Sequence, residues 1–182
     1  KNYAGQVIVT KGTALQTVTT GEDGSAAYTV DLPIANSYYI SETQAPYAYY
    51  RNSSDIYSFN FNFLPETTAK ATFTHTFAND RTTAKIHIYK VDKETGKAVP
   101  QGDAKLEGAV YGLYARNDIA HPDGATGIIF HAGDLVATLT TDEGGNAEVN
   151  NLYLGNYYVK EITPPEGYLL DEEEHDVVCD YE

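Results

Sequence analysis

The chain has 182 residues and a net charge of −14, because 26 Asp and Glu outnumber 12 Lys and Arg. This length allows one large domain or two domains of about a hundred residues each. So acidic a surface argues against nucleic acid or an anionic membrane as a partner, since both attract basic proteins. The sequence has no run of eighteen apolar residues, which predicts no membrane span, and no leader-like start, so any targeting segment is expected outside it.

The cysteine and tyrosine content indicates the structural class of the protein. Cys179 is the only cysteine, which excludes an internal disulfide and a cysteine-based zinc site. Tyrosine is abundant, at 16 residues, while Trp and Met are absent. Many Tyr, Thr and Val residues with scattered Gly and Pro are typical of an all-β protein.

Short runs of alternating polarity predict strands along the whole chain. In the first half these runs are GQVIVT, LQTVTT, SAAYTVDL, SYYISE, IYSFNFNF and AKATFTHTF, and in the second half they are KIHIYKVD, AVYGLYA, GIIFHAG, LVATLTT, NAEVNNL, NYYVKE and HDVVCDY. Turn-forming clusters such as GEDG, KETGK, DEGGN and PPEG separate them. No segment holds a helical period over three turns, so the pattern indicates β-sandwich architecture.

The chain repeats itself. The stretch that begins at Thr17 aligns with the stretch that begins at Thr138, and Glu42 then matches Glu161 at an offset of 119 residues. The repeat is therefore about 120 residues long, and the chain holds about one and a half units. We expect the first unit to end near Asn79, which predicts domains at residues 1–82 and 83–182.

Four polar residues extend apolar stripes at the ends of predicted strands. Because side chains alternate between faces, each shares a face with core-type residues. These sets are Lys90 with Ile86 and Ile88, Glu161 with Tyr157 and Val159, Glu42 with Tyr38 and Ile40, and Asn79 with Phe73, His75 and Phe77.

Lysine, glutamate and asparagine on dry faces point to one reaction. Buried charges are costly, so a buried Lys loses its proton more easily and a buried Glu keeps its proton more easily. A neutral amine can attack an Asn amide carbon, and ammonia then leaves behind a Lys–Asn isopeptide bond. The alternative stays open that the Lys and Asn reach solvent at strand ends and that each Glu pairs with a surface cation.

The motifs resemble a known family. IYKVDKETGKAVPQGDAKLEGAVYGLYA followed by TTDEGGNAEVNNLYLGNYYVKEITPPEGYLLDE is similar to the Cna B-type, or SpaA-like, modules of Gram-positive adhesins and pilins. The matching elements are the Lys-x-Asp at Lys90, the Gly-Ala pair at Gly108 and the Pro-x-Gly-Tyr that ends at Tyr168. In the first unit the match is looser, since Tyr47-Ala48 stands where Glu166-Gly167 stands in the second.

The resemblance implies a fold and also the roles of individual residues. It implies tandem transthyretin-like (reverse Ig-like) β-sandwich modules, the first incomplete at its N-terminus and the second lacking its last strand. It implies an isopeptide crosslink, with Lys90 and Asn79 as crosslinked residues and Glu42 and Glu161 as catalytic ones. The acceptor for Lys90 is then expected in a strand that follows Glu182.

The function implied is structural. The modules would form the stalk of a secreted, cell-wall-anchored adhesin or pilin on a Gram-positive bacterium, with neighbouring modules as partners and no enzyme activity beyond single-turnover crosslinking. The alternative is a binding module that contacts a host protein or glycan directly, through exposed tyrosines such as Tyr47, Tyr49 and Tyr50. No cofactor is expected, and the five His residues show no metal-ligand spacing.

Overall fold

The fold is built from strands. The computed structural model describes residues 9–34, 36–62 and 70–181, and within these ranges it contains strands and no helix, as the sequence predicted. In chain order the strands are β1 (Asn36–Ser41), β2 (Tyr49–Tyr50), β3 (Ile56–Phe61), β4 (Asp80–Arg81), β5 (Ala84–Tyr89), β6 (Val110–Ala115), β7 (Ile119–Ala120), β8 (Ile128–Phe130), β9 (Leu135–Thr140), β10 (Asn146–Leu152), β11 (Gly155–Thr163) and β12 (Glu174–Cys179).

Packing divides the chain into two compact units. One unit comprises Lys1–Ser41 and Ile56–Thr76, and the other comprises Glu42–Asp55 and Phe77–Glu182. The segment Glu42–Asp55 therefore packs with the residues of the second sequence repeat. The predicted boundary between residues 82 and 83 concerns the sequence repeats and stays a prediction.

The first unit is organised around one antiparallel strand pair. Strands β1 and β3 pair in a register that sets Tyr38 opposite Phe59 and Ile40 opposite Tyr57. Aromatic rings then stack on β3, with Phe73 4.4 Å from Phe59 and His75 4.8 Å from Tyr57 between ring centroids. The predicted shared face of Tyr38 and Ile40 is the more buried face of β1.

Three strand predictions in this unit are wrong. LQTVTT, SAAYTVDL and the described part of AKATFTHTF form no strand, while GQVIVT lies largely outside the described residues. Between LQTVTT and SAAYTVDL, a side chain takes the place of backbone pairing. Gln16 Oε1 accepts hydrogen bonds from the amides of Thr29 and Val30, both at 2.9 Å. A side chain thus satisfies the backbone donors that strand pairing would otherwise use.

The second unit contains a β-sandwich. One antiparallel sheet has the strand order β12-β11-β6-β9, and the facing sheet pairs β10 with β5. Its core takes Leu113 and Tyr157 from the first sheet and Ile86 and Ala147 from the second. Tyr157 is fully buried, and its hydroxyl is satisfied because it donates to the carbonyl of Tyr153 at 2.6 Å.

Two short strand pairs complete this unit. They are β2 with β4, and β7 with β8, and the sequence analysis did not predict β2, β4 or β7. Ala48, just before β2, is buried and has a φ of 63°. Gly167, at the matching place in the repeat, has a φ of 89°, so the two turns share a left-handed backbone.

A tight turn positions Lys90 at the end of β5. The amide of Lys90 donates to the carbonyl of Gly145 at 2.7 Å. Gly145 has a φ of +76°, and a Cβ at this position would lie 2.6 Å from the carbonyl oxygen of Lys90 and 3.2 Å from Cβ of Leu106. Only glycine fits both this backbone and this space.

We expect Gly145→Ala to destabilise the second unit. The added methyl group would strain a left-handed residue and push against the backbone of Lys90, at a combined cost of about 2–4 kcal/mol in the free energy of unfolding. Urea denaturation measures it. Gly124→Ala is the matched control, because Gly124 has a φ of +70° with nothing within 4 Å of the added Cβ. An equal loss in both variants would show that contact with Lys90 adds nothing.

Candidate crosslinking site

A buried ion pair joins Lys90, directly after β5, to Glu161 in β11. Lys90 Nζ lies 2.8 Å from Glu161 Oε1, and the exposed side-chain fractions are 12% and 1%. Period-2 alternation on β11 places Glu161 on the same face as Tyr157 and Val159, which are also buried. The structure therefore brings together two of the residues that the sequence selected.

Two further groups hold Glu161. The amide of Asp171 donates to Glu161 Oε2 at 2.8 Å. Tyr111 lies directly opposite Glu161 in the β6–β11 register. Burial, and then the negative charge of Glu161, raises the pKa of Tyr111 well above its ordinary value, so its hydroxyl keeps its proton beside the carboxylate.

An aromatic ring covers the lysine. Lys90 Nζ lies 5.8 Å from the ring centroid of Tyr168, within the range of a cation–π contact. The Tyr168 hydroxyl donates to Asp92 Oδ2 at 3.1 Å, which fixes the ring. Asp92 Oδ1 accepts from the amide of Thr95 at 2.8 Å and from Gln101 Nε2 at 3.1 Å. The Thr95 amide contributes most to holding the pKa of Asp92 below its ordinary value.

Sequence reasoning missed these supporting residues as site residues. Asp92 and Tyr168 were visible as parts of the Lys-x-Asp and Pro-x-Gly-Tyr motifs, which could have pointed to them. Tyr111 gave no such signal, because a tyrosine on an inner strand face is typical of a core residue. The contribution of Asp171 comes from its backbone and leaves no trace in the side-chain pattern.

The second predicted pair also meets. Asn79 Nδ2 donates to Glu42 Oε1 at 2.8 Å, and both residues are half-buried. Asn79 Oδ1 is buried without a hydrogen-bond partner among the described residues. Arg51 Nη1 donates to the backbone carbonyl of Glu42 at 3.1 Å. A carboxyl group thus binds the amide nitrogen, while the amide oxygen is left unsatisfied.

The four selected residues form two separate pairs. Within the described ranges, no hydrogen bond joins Asn79 or Glu42 to Lys90 or Glu161. The sequence prediction assigns Lys90 and Asn79 as crosslinked residues and Glu161 and Glu42 as catalytic ones, and each pair holds one residue of each kind. Whether these groups react stays a prediction from the sequence.

One cluster of metal-type ligands lies on the surface. Ligand atoms of Asp171, Glu173 and His175 lie within 4.8 Å of one another, and the last two side chains are exposed. Exposed acidic groups meet in this way without a metal, so the cluster supports no assignment. The expectation of no metal site stays a prediction.

The family assignment comes from comparison of the sequence with known families. The SpaA prealbumin-like fold domain matches residues 3–76 and again residues 84–182. The chain belongs to this family. The SpaA-like chain therefore carries two family segments in tandem, in agreement with the predicted fold class. Curated protein sequences gave no match.

The SpaA-like chain is similar to parts of several larger proteins of known structure. It is similar to the Bacillus anthracis TIE protein at 27% identity and a TM-score of 0.64, over 91% of this chain and 26% of that protein. It also matches the T6 backbone pilin of Streptococcus pyogenes serotype M6 at 23% identity and a TM-score of 0.42, over 66% of this chain and 20% of that one. The group B streptococcus pilus 2b backbone protein matches at 22% identity and a TM-score of 0.39, over 59% and 38%. The chain thus spans about a quarter of the first of these proteins.

Residues 9–34, 36–62 and 70–181 contain no helix long and apolar enough to cross a membrane.

Lys90→Met should destabilise the SpaA-like sandwich strongly. The substitution leaves Glu161 buried and unpaired, which we expect to lower the free energy of unfolding by about 3–5 kcal/mol. Lys90→Met combined with Glu161→Leu should recover most of this loss, because neither charge then remains. Denaturant titration provides the values.

Lys105→Met is the matched control for this experiment. Lys105 pairs with Glu166, but both side chains are more than half exposed, so little change is expected. A Lys90→Met variant as stable as the Lys105→Met variant would mean that the buried pair contributes nothing to the fold.

Asp92→Asn should reduce the acid sensitivity of the chain. Since the pKa of Asp92 is lower in the folded state, its carboxylate contributes stability above the unfolded pKa of about 3.9, and this stability is lost as pH falls through the folded pKa. The free energy of unfolding should therefore decrease less between pH 7 and about pH 3 in the variant than in the wild type. Equal decreases would argue against this role for Asp92.

Proposed function

We propose that this chain is a stalk segment of a secreted, cell-wall-anchored adhesin or pilin, stiffened by self-made Lys–Asn isopeptide bonds. The observation that carries the proposal is the buried pair of Lys90 and Glu161, with 12% and 1% of the side chains exposed. A buried lysine beside a buried carboxyl group is costly to keep unless the pair has a use or a strong structural role. Family membership supplies the stalk context.

The proposed bond-forming step begins at the contact between Lys90 and Glu161. The Lys90 ammonium transfers a proton to Glu161 Oε1, 2.8 Å away, and becomes a neutral amine. The amine attacks the side-chain amide carbon of an acceptor Asn. The protonated Glu161 then gives its proton to the leaving nitrogen and takes up the second amine proton of Lys90, which a secondary amide does not keep. The bond between the side-chain carbonyl carbon of the acceptor Asn and its amide nitrogen breaks, and ammonia departs. A secondary amide then joins the two side chains.

The acceptor half of the same chemistry is represented by Asn79. Its amide nitrogen is bound to Glu42 at 2.8 Å and its amide oxygen is buried without a partner among the described residues. A carboxyl group at this nitrogen can supply the proton with which the nitrogen leaves as ammonia. We therefore assign Asn79 as the crosslinked asparagine of the first repeat and Glu42 as its catalytic carboxyl group.

The absence of an internal disulfide is consistent with an isopeptide-crosslinked stalk. With one cysteine the chain has no internal disulfide, which is the usual covalent restraint of small secreted domains. An isopeptide bond restrains the unfolded chain as a disulfide does, but it is not reduced. The partners are then the neighbouring modules of the same protein.

Intact mass tests the proposal. In a chain extended by about thirty residues past residue 182, the length taken from the repeat spacing, the module should weigh one ammonia less than its sequence. Glu161→Ala should restore the full mass and make the module easier to unfold and digest, since no crosslink then restrains it.

The matched control is Glu148→Ala, which removes an exposed carboxylate paired with Lys85 on the facing sheet. It should keep the reduced mass. A full mass in the extended wild type, together with free acetylation of Lys90 in the folded protein, would rule out the crosslink and leave a structural ion pair.

The alternative is a module that binds a host protein or glycan. Its supporting observation is the exposure of Tyr47 and Tyr50, at 68% and 51%. Tyr50 is already engaged, because its hydroxyl donates to Asp80 Oδ2 at 2.7 Å. Retention of the chain on a glycan or host-protein array that Tyr47→Ala abolishes would favour this alternative.

A further inference from the structure

A turn of the sandwich surrounds the side chain of Arg81. We define the guanidinium cradle as Asn151 and Leu152, which end β10, and Tyr153, which follows them in the turn to β11. Arg81 Nη1 donates to the Leu152 carbonyl at 2.9 Å, and Nη2 donates to the carbonyl and the side-chain oxygen of Asn151 at 3.2 and 2.9 Å. The ring of Tyr153 lies 3.9 Å from the guanidinium carbon.

The cradle matches the chemistry of arginine. The planar guanidinium offers several N–H donors in a fixed fork and one flat face, and the cradle supplies three acceptors and one aromatic face. Asn151 has a φ of 61°, an uncommon backbone for a non-glycine residue. This conformation leaves both its carbonyl and its side-chain oxygen available to the same nitrogen of Arg81.

Arg81 joins parts of the chain that are distant in sequence. It lies 70 and 71 residues from its partners Asn151 and Leu152. Strand β4, which contains Arg81, pairs with β2, and the amide of Thr82 donates to the carbonyl of Ala48 at 2.8 Å. The segments Glu42–Asp55 and Phe77–Thr82 are thus bonded to each other, and Arg81 bonds both to the turn that begins the strand of Glu161.

We propose that Arg81 is the latch that docks the segments Glu42–Asp55 and Phe77–Thr82 onto the sandwich. In this arrangement the Glu42–Asn79 pair is carried by the docked segments and the Lys90–Glu161 pair by the sandwich. Without the latch these segments detach, while the sandwich stays folded on its own core. The partner that the cradle binds is therefore a segment of the same chain.

The latch is particular to this part of the chain. Leu152 matches Leu32 in the sequence repeat, so Asn151 and Tyr153 correspond to Asp31 and Pro33. Proline offers no aromatic face for a guanidinium to stack on. The sequence repeat therefore covers both segments, but only the second one carries the full cradle.

Amide hydrogen exchange of the 182-residue chain tests the latch. In Arg81→Ala we expect the amides of residues 42–55 and 77–83 to exchange about tenfold faster or more, with β6, β9 and β11 unchanged, because local detachment opens only these segments. Arg81→Lys should show most of the same effect, since lysine keeps the charge but lacks the fork and the flat face.

Arg116→Ala is the matched control. The Arg116 guanidinium also lies over a tyrosine, 4.0 Å from the ring of Tyr158, and binds Glu174 and Asp176. These partners lie on strands of one sheet, so its loss should leave the exchange of residues 42–55 and 77–83 as in the wild type.

Two results would overturn the latch. Exchange in Arg81→Ala that equals the wild type would show that the segments are held by other contacts. Faster exchange throughout the second unit would show that Arg81 supports the whole fold instead of one joint. Neither result depends on a crosslink, so the latch and the proposed isopeptide bonds succeed or fail separately.

Discussion

The buried ion pair of Lys90 and Glu161 is the constraint on which the surrounding structure depends. Two opposite charges removed from water are tolerable only when they lie close together and when their remaining hydrogen-bonding capacity is satisfied. The nearby elements meet both conditions. Gly145 allows the chain to turn beside Lys90, the amide of Asp171 donates to Glu161, and Tyr111 lies opposite Glu161 on the neighbouring strand.

The same surroundings constrain the proposed chemistry. Lys90 Nζ contacts one carboxylate oxygen of Glu161, and the Asp171 amide donates to the other, so each oxygen already has a donor. The proposed proton transfer therefore follows an existing contact, and the acceptor side chain is the part of the reaction that no described residue supplies beside Lys90.

Alternation along strands predicted the centre of the site and little of its periphery. It set Glu161 beside Tyr157 and Val159 because β11 is regular and has one dry face. It failed for the segment around Gln16, where a side chain takes the place of a partner strand. It could not reveal the Arg81 cradle, since backbone carbonyls and a left-handed Asn151 do most of the binding. Side-chain periodicity predicts which face of a strand is buried. It does not predict contacts such as that of Arg81, which depend on the positions of turns in the folded chain.

The two turns at Ala48 and Gly167 show how the repeats have diverged. Both are left-handed, although only one carries the residue that adopts this conformation without strain. The alanine is 3% exposed, and its carbonyl accepts the amide of Thr82. A residue with a Cβ thus keeps a glycine-type backbone because tertiary contacts enforce it, which costs about 1 kcal/mol. The two repeats therefore share the backbone path of this turn although the residue at its left-handed position differs, so a glycine in the sequence is not needed to mark the turn.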